Sequence, residues 1–364
     1  MFDFVNRLLK VEADLVVTIT APLDPRLPGN DKDRIRLRNL LADARAQVLE
    51  RLDSRPAKPL LDRLEQVASE IDITGGDKGV AIVAWADGAE SHLLPFPVAE
   101  GLTLAATPAT RTLIQGIRRS PRSRLLEVSD TTVRLYEGVR SELVEVTEHG
   151  FPFQTELIQR DNRAIAGRFA RKPAGDDLES WRKFYREVDH ALATIEAADP
   201  LPLVVAGVRR SLDLFDDVST MSEHVVGRLE GSYERTDQSE LGKEAWQIHR
   251  QRLRDRRAEV IEEIASGVGT GQAVSGMDEV WQLTREGRGR LLVLEEDYQH
   301  RPSVEVDGRL VLADGEVGPE VMSDPVDELV EHAVRAGGEV EFVSSGALSD
   351  YGRVGLLLRG SLTG

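Results

Sequence analysis

The chain of 364 residues contains no cysteine. This absence excludes a disulfide framework, a thiolate zinc site, an iron–sulfur cluster and a cysteine nucleophile, and it agrees with a reducing compartment. No apolar run approaches the roughly 18 residues that a transmembrane helix needs. Charges throughout Met1 to Asp14 argue against a signal peptide. The sequence therefore predicts a cytoplasmic protein without a membrane partner.

Positive charge is scarce, because 46 lysines and arginines stand against 63 acidic residues and leave a net charge of −17. Such a balance argues against a DNA partner, since a phosphate backbone favours clustered lysine and arginine. This deficit of positive charge is unevenly distributed along the sequence. Residues 158–172 hold five bases and one acid, whereas residues 273–364 hold eight arginines and 18 acids. We expect the basic segment to meet RNA or phosphate and the acidic region to face a protein.

Signatures of common enzymes are also missing. No two of the seven histidines lie within five residues of each other, so there is no local zinc signature. Neither a Gly-x-Ser-x-Gly elbow nor a nucleotide-binding P-loop occurs. The glycines from Gly267 to Gly271 follow a helical pattern instead of a strand, which indicates a helix–helix hinge. The sequence predicts no metal, no cofactor and no identifiable catalytic residue.

The alternation of strand and helix patterns indicates an α/β (α+β) protein, and the length predicts two to three domains at roughly 150 residues each. We place the domains at 1–128, 129–236 and 237–364. Characteristic elements are a hairpin over Gly79–Phe96 with an Asp87-Gly88 turn, an apolar strand over Leu201–Val205, and another over Leu291–Leu294. A long helix over Gln238–Ile264 is expected to end before the glycines that begin at Gly267.

The stretch from His149 to Asp177 has little periodicity and is long for a connection inside a domain, and such loops are usually functional or disordered. One interpretation is a solvated surface loop, and the other is a mobile arginine-rich segment that binds RNA. Phe169 would either stack on a base or anchor the loop. The candidate RNA-binding residues are Arg160, Arg163, Arg168, Phe169, Arg171 and Lys172.

Two further groups of arginines stand out in the sequence. One comprises Arg111, Arg118, Arg119, Arg122 and Arg124. The other comprises Arg250, Arg252, Arg254, Arg256 and Arg257. Acidic residues closely follow the second group on the predicted long helix, which favours ion pairing within that helix.

Several motifs resemble those of a known family. Ser275–Val280, the Arg285-Glu286-Gly287-Arg288 turn, Gly337–Ser344 and Tyr351–Arg359 resemble the last domain of archaeal and eukaryotic class I release factors. Upstream, residues 33–41 and 133–138 resemble the bacterial branch of that superfamily. On these motifs the chain resembles the bacterial archaeo-eukaryotic release factor family, whose relatives include Pelota and the hibernation factor Balon.

The resemblance implies three domains that enter the ribosomal A site as a tRNA mimic. It implies a ribonuclease-H-like middle domain and a C-terminal α/β sandwich like a kink-turn-binding ribosomal protein. The family's Gly-Gly-Gln tripeptide is absent, because the equivalent loop, Gln159–Asp177, offers only Gly167 and Gly175. The Asn-Ile-Lys-Ser motif for stop codons is absent as well. Thr270-Gly271-Gln272 lies far from that loop in the sequence.

These departures from the family pattern imply A-site occupancy without peptide release, in ribosome hibernation or rescue, with a translational GTPase as a possible partner. A second hypothesis is a hydrolase of peptidyl-tRNA or RNA whose catalytic groups the sequence does not reveal. A third is a stress-induced interaction protein that does not bind ribosomes, which the net charge of −17 favours.

Overall fold

A computed structural model describes the chain over five ranges: 2–129, 131–154, 175–313, 321–322 and 324–361. The described residues form a mixed α/β protein with several sheets, as predicted. Contacts divide the chain into two compact units. The first unit combines residues 1–119 with residues 257–364, and the second unit comprises residues 120–256. We call residues 1–119 the N-terminal segment and residues 257–364 the C-terminal segment of the first unit.

The N-terminal segment contains an antiparallel four-stranded sheet in the order β3-β2-β1-β4. Its elements are α1 (Phe2–Leu8), β1 (Val16–Pro22), α2 (Asp31–Arg51), α3 (Ser54–Ser69), β2 (Gly79–Trp85), β3 (Gly88–Leu94), β4 (Gly101–Ala105) and α4 (Arg111–Arg119). Strands β2 and β3 form the predicted hairpin, but its turn is Ala86-Asp87, one residue earlier than expected, because Gly88 already pairs with Trp85 as the first residue of β3. Helix α1 escaped the sequence analysis because its seven residues are too short to show a helical period.

Both faces of this sheet are buried, since side chains alternate along a strand. Val17 and Ile19 of β1 face the core formed with α2 and α3. Val16 faces the opposite core, where α1, α4 and apolar residues of the C-terminal segment meet. Gly116 lets α4 pack closely, because a Cβ there would stand 2.1 Å from the Phe96 ring. The N- and C-terminal segments thus share one hydrophobic core.

The second unit contains a sheet in the order β10-β9-β5-β6-β7, to which β8 adds at β6. Its elements are β5 (Arg122–Val128), β6 (Thr132–Val139), β7 (Glu142–Val146), β8 (Phe153–Gln154), α5 (Gly175–Ala198), β9 (Leu203–Gly207), α6 (Arg209–Asp216) and β10 (Val225–Glu230). Strands β5, β9 and β10 run parallel, and β6 runs antiparallel to β5.

The predicted apolar strand over Leu201–Val205 is β9, displaced by two residues and buried throughout. Strand β5 begins before the expected first boundary at residue 128 and pairs with β9 inside the second unit. One face of the sheet packs on α5 and α6. The other face packs on Leu241 and Ala245 of the next helix, α7 (Gln238–Thr270). The division into three domains at residues 128 and 237 stays a prediction.

The C-terminal segment contains a mixed sheet in the order β11-β16-β12-β15, in which only the β12–β15 pair is parallel. After α7, its elements are β11 (Ala273–Ser275), α8 (Met277–Arg285), β12 (Gly289–Glu295), β13 (Ser303–Val306), β14 (Arg309–Leu312), α9 (Pro325–Arg335), β15 (Glu339–Val343), a short 3₁₀ helix (Ser349–Tyr351) and β16 (Val354–Leu358). The predicted strand over Leu291–Leu294 lies within β12 and is buried.

Gly267 and Gly269 do not interrupt the long helix, so the predicted break at Gly267 is wrong. Helix α7 continues through Gly267 and Gly269 to Thr270. A Cβ at Gly267 would stand 2.7 Å from the Ala273 Cβ, so this glycine admits the start of β11 beside the helix. Gly271, at φ +72°, takes the left-handed conformation that commonly ends a helix. Across the described ranges, no helix is both long and apolar enough to span a bilayer.

Candidate functional site

The six candidate RNA-binding residues fall between residues 155 and 174, outside the part of the chain that the structure describes: Arg160, Arg163, Arg168, Phe169, Arg171 and Lys172. The described chain reaches this segment at β8 and resumes at the start of α5. We call strand β8 the first anchor and helix α5 the second anchor. Both belong to the second unit, and their surroundings define the candidate site.

The first anchor is the strand end that precedes the basic segment. Strand β8 pairs with the start of β6, where Val133 faces Phe153 and Thr132 faces Gln154. The Phe151 ring is 4% exposed and meets the Phe153 ring edge-on at 5.0 Å between centroids. These contacts tie the chain to the sheet until Gln154.

The second anchor is α5, whose apolar residues recur every three or four positions along one face. Trp181 and Tyr185 stack with 6.1 Å between their ring centroids, and Tyr185 meets Phe215 of α6 edge-on at 6.2 Å. Tyr185 is fully buried. Phe151 and the α5 aromatics belong to one hydrophobic core. Strand β8 and helix α5 therefore belong to the same packed body.

The first anchor lies at the sheet edge where β5 and β9 end. Val128, the last residue of β5, is in register with Gly207, the last residue of β9. A Cβ at Gly207 would stand 2.4 Å from the Val128 carbonyl oxygen, so no larger residue fits there without backbone movement. In open α/β sheets, ligands bind beyond the carboxyl ends of the strands. We call this edge, with Val128–Ser129, Thr131–Thr132, Phe153–Gln154 and Gly207–Arg210, the β5 edge.

Polar side chains at the β5 edge serve local structure. The Ser129 hydroxyl donates to the Thr132 carbonyl at 2.8 Å, and the Thr131 hydroxyl donates to the Glu234 carboxylate at 3.1 Å. Among the described residues, no group of three histidine, aspartate or glutamate side chains could hold a metal ion. The Ser129 and Thr131 hydroxyls at the β5 edge are thus engaged in hydrogen bonds within the second unit.

Arginines on α5 and α6 carry charges that are already compensated. Ion pairs at 3.0–3.2 Å join Arg182 to Asp217, Arg186 to Glu179, and Arg209 to Glu230. Arg210 lies 6.0 Å from the centroid of the Trp181 ring, a cation–π contact. The positive charge available for phosphate contacts near this edge therefore comes mainly from the sequence of residues 158–172.

The arginine group at residues 111–124 serves the fold. Arg124 is 2% exposed and donates to Glu196, which is equally buried, at 2.5 Å. Arg122 pairs with Glu137 and Asp199. The three arginines of α4 pair with carboxylates of the C-terminal segment: Arg111 with Asp324, Arg118 with Glu339 and Arg119 with Glu296. Part of the acidic surplus of the C-terminal segment is thus used within the chain.

The arginines at residues 250–257 lie along α7. Arg257 pairs with Glu341 of β15 at 3.5 Å, outside its own helix, and Arg250 donates to the Gln247 side chain at 3.3 Å. The predicted ion pairing within the helix stays a prediction. Gln272 of Thr270-Gly271-Gln272 lines an open cleft of about 310 Å³ together with Arg290 and Arg359 of the C-terminal segment. That position is remote in sequence from the basic segment.

Among the titratable side chains of the second unit, Tyr136 and His249 have large pKa shifts. Burial, reinforced by the neighbouring Glu127 carboxylate, raises the pKa of Tyr136, whose hydroxyl donates to Glu127 at 3.1 Å. Burial lowers the pKa of His249 on α7 to about 4, so the ring is neutral at physiological pH. Tyr136 lies on the face of the sheet that packs on α7, and neither Tyr136 nor His249 is placed at the β5 edge.

Comparison with known protein families finds a match over the central part of the chain. Residues 124–288 match the sequence model of bacterial archaeo-eukaryotic release factor family 3. The family resemblance predicted from the sequence is confirmed. The match begins in β5 and ends beyond α8, so it spans both anchors and the segment between them. No curated protein is significantly similar to the chain.

Solved structures of translation factors also resemble the chain, at low identity. The archaeal translation termination factor aRF1 aligns over 99% of this chain and 97% of its own, with 13% identity and a TM-score of 0.25. Archaeal Pelota, described as ribosome-bound, aligns over 99% and 94%, with 12% identity and a TM-score of 0.41. Dom34 of S. cerevisiae, described as interacting with Hbs1, aligns over 66% and 63%, with 12% identity and a TM-score of 0.38.

Proposed function

We propose that the protein is a ribosome-associated tRNA mimic that occupies the A site without peptide-release chemistry, in ribosome hibernation or rescue. The observation that carries this proposal is the family match over residues 124–288, which includes the basic segment. In this proposal, Arg160, Arg163, Arg168, Phe169, Arg171 and Lys172 contact ribosomal RNA or the site of the tRNA acceptor end.

The architecture of the second unit supports a release-factor-like middle domain. Its five main strands follow the order β10-β9-β5-β6-β7, with β6 antiparallel to β5. This is the strand arrangement of ribonuclease-H-like domains, which the family resemblance implies. In the C-terminal segment, a four-stranded mixed sheet with helices α7, α8 and α9 supports the proposed α/β sandwich.

Charge supports RNA contact through the basic segment. It carries five bases and one acid on a chain of net charge −17, and the described chain on either side of residues 155–174 packs into one core. Phosphate contacts by lysine and arginine provide affinity that does not depend on base sequence. Because the sequence lacks Gly-Gly-Gln, the proposed role is occupancy of the A site and not hydrolysis of the peptidyl ester.

We assign the C-terminal segment a protein partner, a translational GTPase. Residues 273–364 carry a net charge of −10, which disfavours an RNA surface. Asp324, Glu296 and Glu339 pair with α4 arginines and are therefore poor candidates for this contact. Acidic side chains that remain exposed, such as Asp278 and Glu279 on α8, are better ones.

Cosedimentation with purified 70S ribosomes over a range of salt concentrations tests the proposal. Wild-type protein should cosediment, and replacing Arg163, Arg168, Arg171 and Lys172 by alanine should weaken binding. Since each phosphate contact contributes about 0.7–0.9 to the slope of log affinity against log salt, the slope should fall by about 3. A wild-type protein that stays in the supernatant contradicts the proposal.

A matched control removes the same charge elsewhere. Arg26, Arg55, Lys243 and Arg254 are exposed and lie outside residues 155–174. Replacing these four by alanine changes the net charge equally, and we expect most of the salt slope to remain. If the two quadruple variants lose affinity to the same extent, overall charge and not the basic segment determines binding.

A further inference from the structure

A buried carboxylate joins the two halves of the first unit. Glu331 on α9 is 2% exposed, and its carboxylate accepts a hydrogen bond from the Thr110 hydroxyl at 3.3 Å. Thr110 is fully buried and immediately precedes α4, whose Ile114 amide donates to the Thr110 carbonyl. The two residues are 221 positions apart in sequence. One side chain thereby connects the N-terminus of α4 to the C-terminal segment.

Arginines complete the contact on both sides of Glu331. Arg335, one turn further along α9, donates to Glu331 at 3.1 Å and to the Leu9 carbonyl at 2.8 Å, just beyond α1. Arg111 of α4 pairs with Asp324 at 3.0 Å and approaches Asp327 at 3.7 Å. Apolar residues of α1, α4 and α9 surround these groups in one core. The contact is therefore a buried interface between the two segments.

We propose that this α4–α9 contact is a proton-operated latch, which holds the N- and C-terminal segments together more tightly when Glu331 is protonated. A neutral carboxyl at this position keeps its hydrogen bonds and avoids the cost of placing a charge in an apolar interface. Among the described residues, the cation that pairs with a negative charge there is Arg335, whose side chain is 32% exposed.

The electrostatic surroundings agree with this role. Burial raises the pKa of Glu331 to about 7, with a further contribution from the nearby Glu328 carboxylate, although Arg335 and the hydroxyls of Thr107 and Thr110 act in the opposite direction. A carboxyl with a raised pKa stabilises the folded contact most at low pH. That stabilisation is lost as the pH rises from the ordinary value of 4.5 through about 7.

Other charged groups lie around the latch on several elements. On α9, burial raises the pKa values of Asp327 and Glu328 in the same sense as Glu331. Burial lowers the pKa of His332 to about 4. This residue therefore acts in the opposite sense to Glu331, because it destabilises the contact as the pH falls from 6.5. The remaining groups are Arg111 and Arg118 on α4, Arg285 on α8, Glu305 on β13, Glu339 on β15, and Glu12 near α1.

Hydrogen exchange of the full-length chain at pH 6 and pH 8, corrected for intrinsic exchange rates, tests the latch. Between pH 6 and pH 8, the equilibrium constant for local opening at the α4 amides should rise about tenfold more in the wild type than in Glu331→Gln. The glutamine has the shape of the glutamate side chain but cannot titrate. Amides of β2 should not follow this change, because β2 lies within the first sheet and not at the α4–α9 contact. The matched control is Glu279→Gln, an exposed position on α8, and it should behave as the wild type.

A second variant covers the case in which Glu331→Gln does not fold. Thr110→Val removes a hydrogen bond that lowers the pKa of Glu331, so the loss of α4 protection should shift to higher pH, whereas Thr110→Ser should preserve the wild-type midpoint. Equal pH dependence of α4 protection in the wild type and Glu331→Gln would overturn the proposal. So would a change that affects α4 and β2 equally, since the whole unit would then respond and not the contact.

Discussion

Arg124 and Glu196 form a buried ion pair, with 2.5 Å between the guanidinium nitrogen and the carboxylate oxygen and only 2% of either side chain exposed. Arg124 lies in β5 and Glu196 near the end of α5, so the pair fastens the helix to the central strand. The Glu196 carboxylate also accepts from the Leu201 amide at 2.9 Å, just before β9. This pair stabilises the second unit at the end of β5 opposite to the β5 edge.

Removing one partner of this pair should be costly. For Glu196→Ala we expect the free energy of unfolding to fall by about 3 kcal/mol, because the buried guanidinium loses its most buried partner and keeps only the more exposed Glu137 and Asp199. Urea unfolding followed by circular dichroism measures the loss. The combined variant Arg124→Met with Glu196→Leu should recover most of it, since neither charge then remains buried. Glu230→Ala, which breaks the exposed pair with Arg209, is the control and should leave stability unchanged.

His249 on α7 should make the second unit sensitive to acid. Its pKa is lowered to about 4 by burial, so the folded chain holds the ring neutral while the unfolded chain protonates it below about 6.5. The stability that this provides is present above pH 6.5 and is lost as the pH falls towards 4. Between pH 7.5 and pH 5 we expect a loss of roughly 2 kcal/mol from this residue.

Comparison of the wild type with His249→Phe isolates this effect in urea unfolding at the two pH values. The variant should lose less stability on acidification than the wild type by that amount. His190→Gln, an exposed position on α5, is the control and should show the wild-type pH dependence. The same pH dependence in all three proteins would show that His249 is not the titrating group.

The sequence was a reliable guide where local patterns decide structure. The apolar run Gly79–Trp85 followed by Asp87 and Gly88 predicts a hairpin between neighbouring strands, and the structure has one with its turn shifted by one residue. The roles of the α4 arginines depend on Asp324, Glu296 and Glu339, which lie about two hundred residues away and reach α4 only in the folded chain. Thr110 and Glu331 were missed for the same reason. Gly267 was misread because its role depends on Ala273, which packs beside the helix.

The shared core of the first unit makes a prediction about domain organisation. Phe4 of α1, Ile114 of α4 and Val326 of α9 belong to one hydrophobic cluster, which spans the N- and C-terminal segments. If protease sites are introduced after Arg119 and before Arg257 in the full chain, cleavage should leave residues 1–119 and 257–364 associated. Gel filtration of the cleaved protein measures this. Independent domains divided at residues 128 and 237 would instead separate these two fragments.

Peptide release distinguishes occupancy of the A site from catalysis. We expect no release from stop-codon-programmed ribosomes above the background without factor, because residues 159–177 contain no Gly-Gly-Gln. Glycine matters in that tripeptide since the backbone must approach the ester closely and adopt conformations that larger residues disfavour.

The double variant Ala166→Gly with Arg168→Gln installs the tripeptide around Gly167, and it should gain release if the basic segment reaches the peptidyl-transferase centre. Ala166→Gly alone, which leaves Arg168 in place, is the control and should stay inactive. Release by the wild type at multiple turnover would favour the hydrolase hypothesis. A double variant that binds ribosomes and remains inactive would indicate that the segment contacts RNA elsewhere.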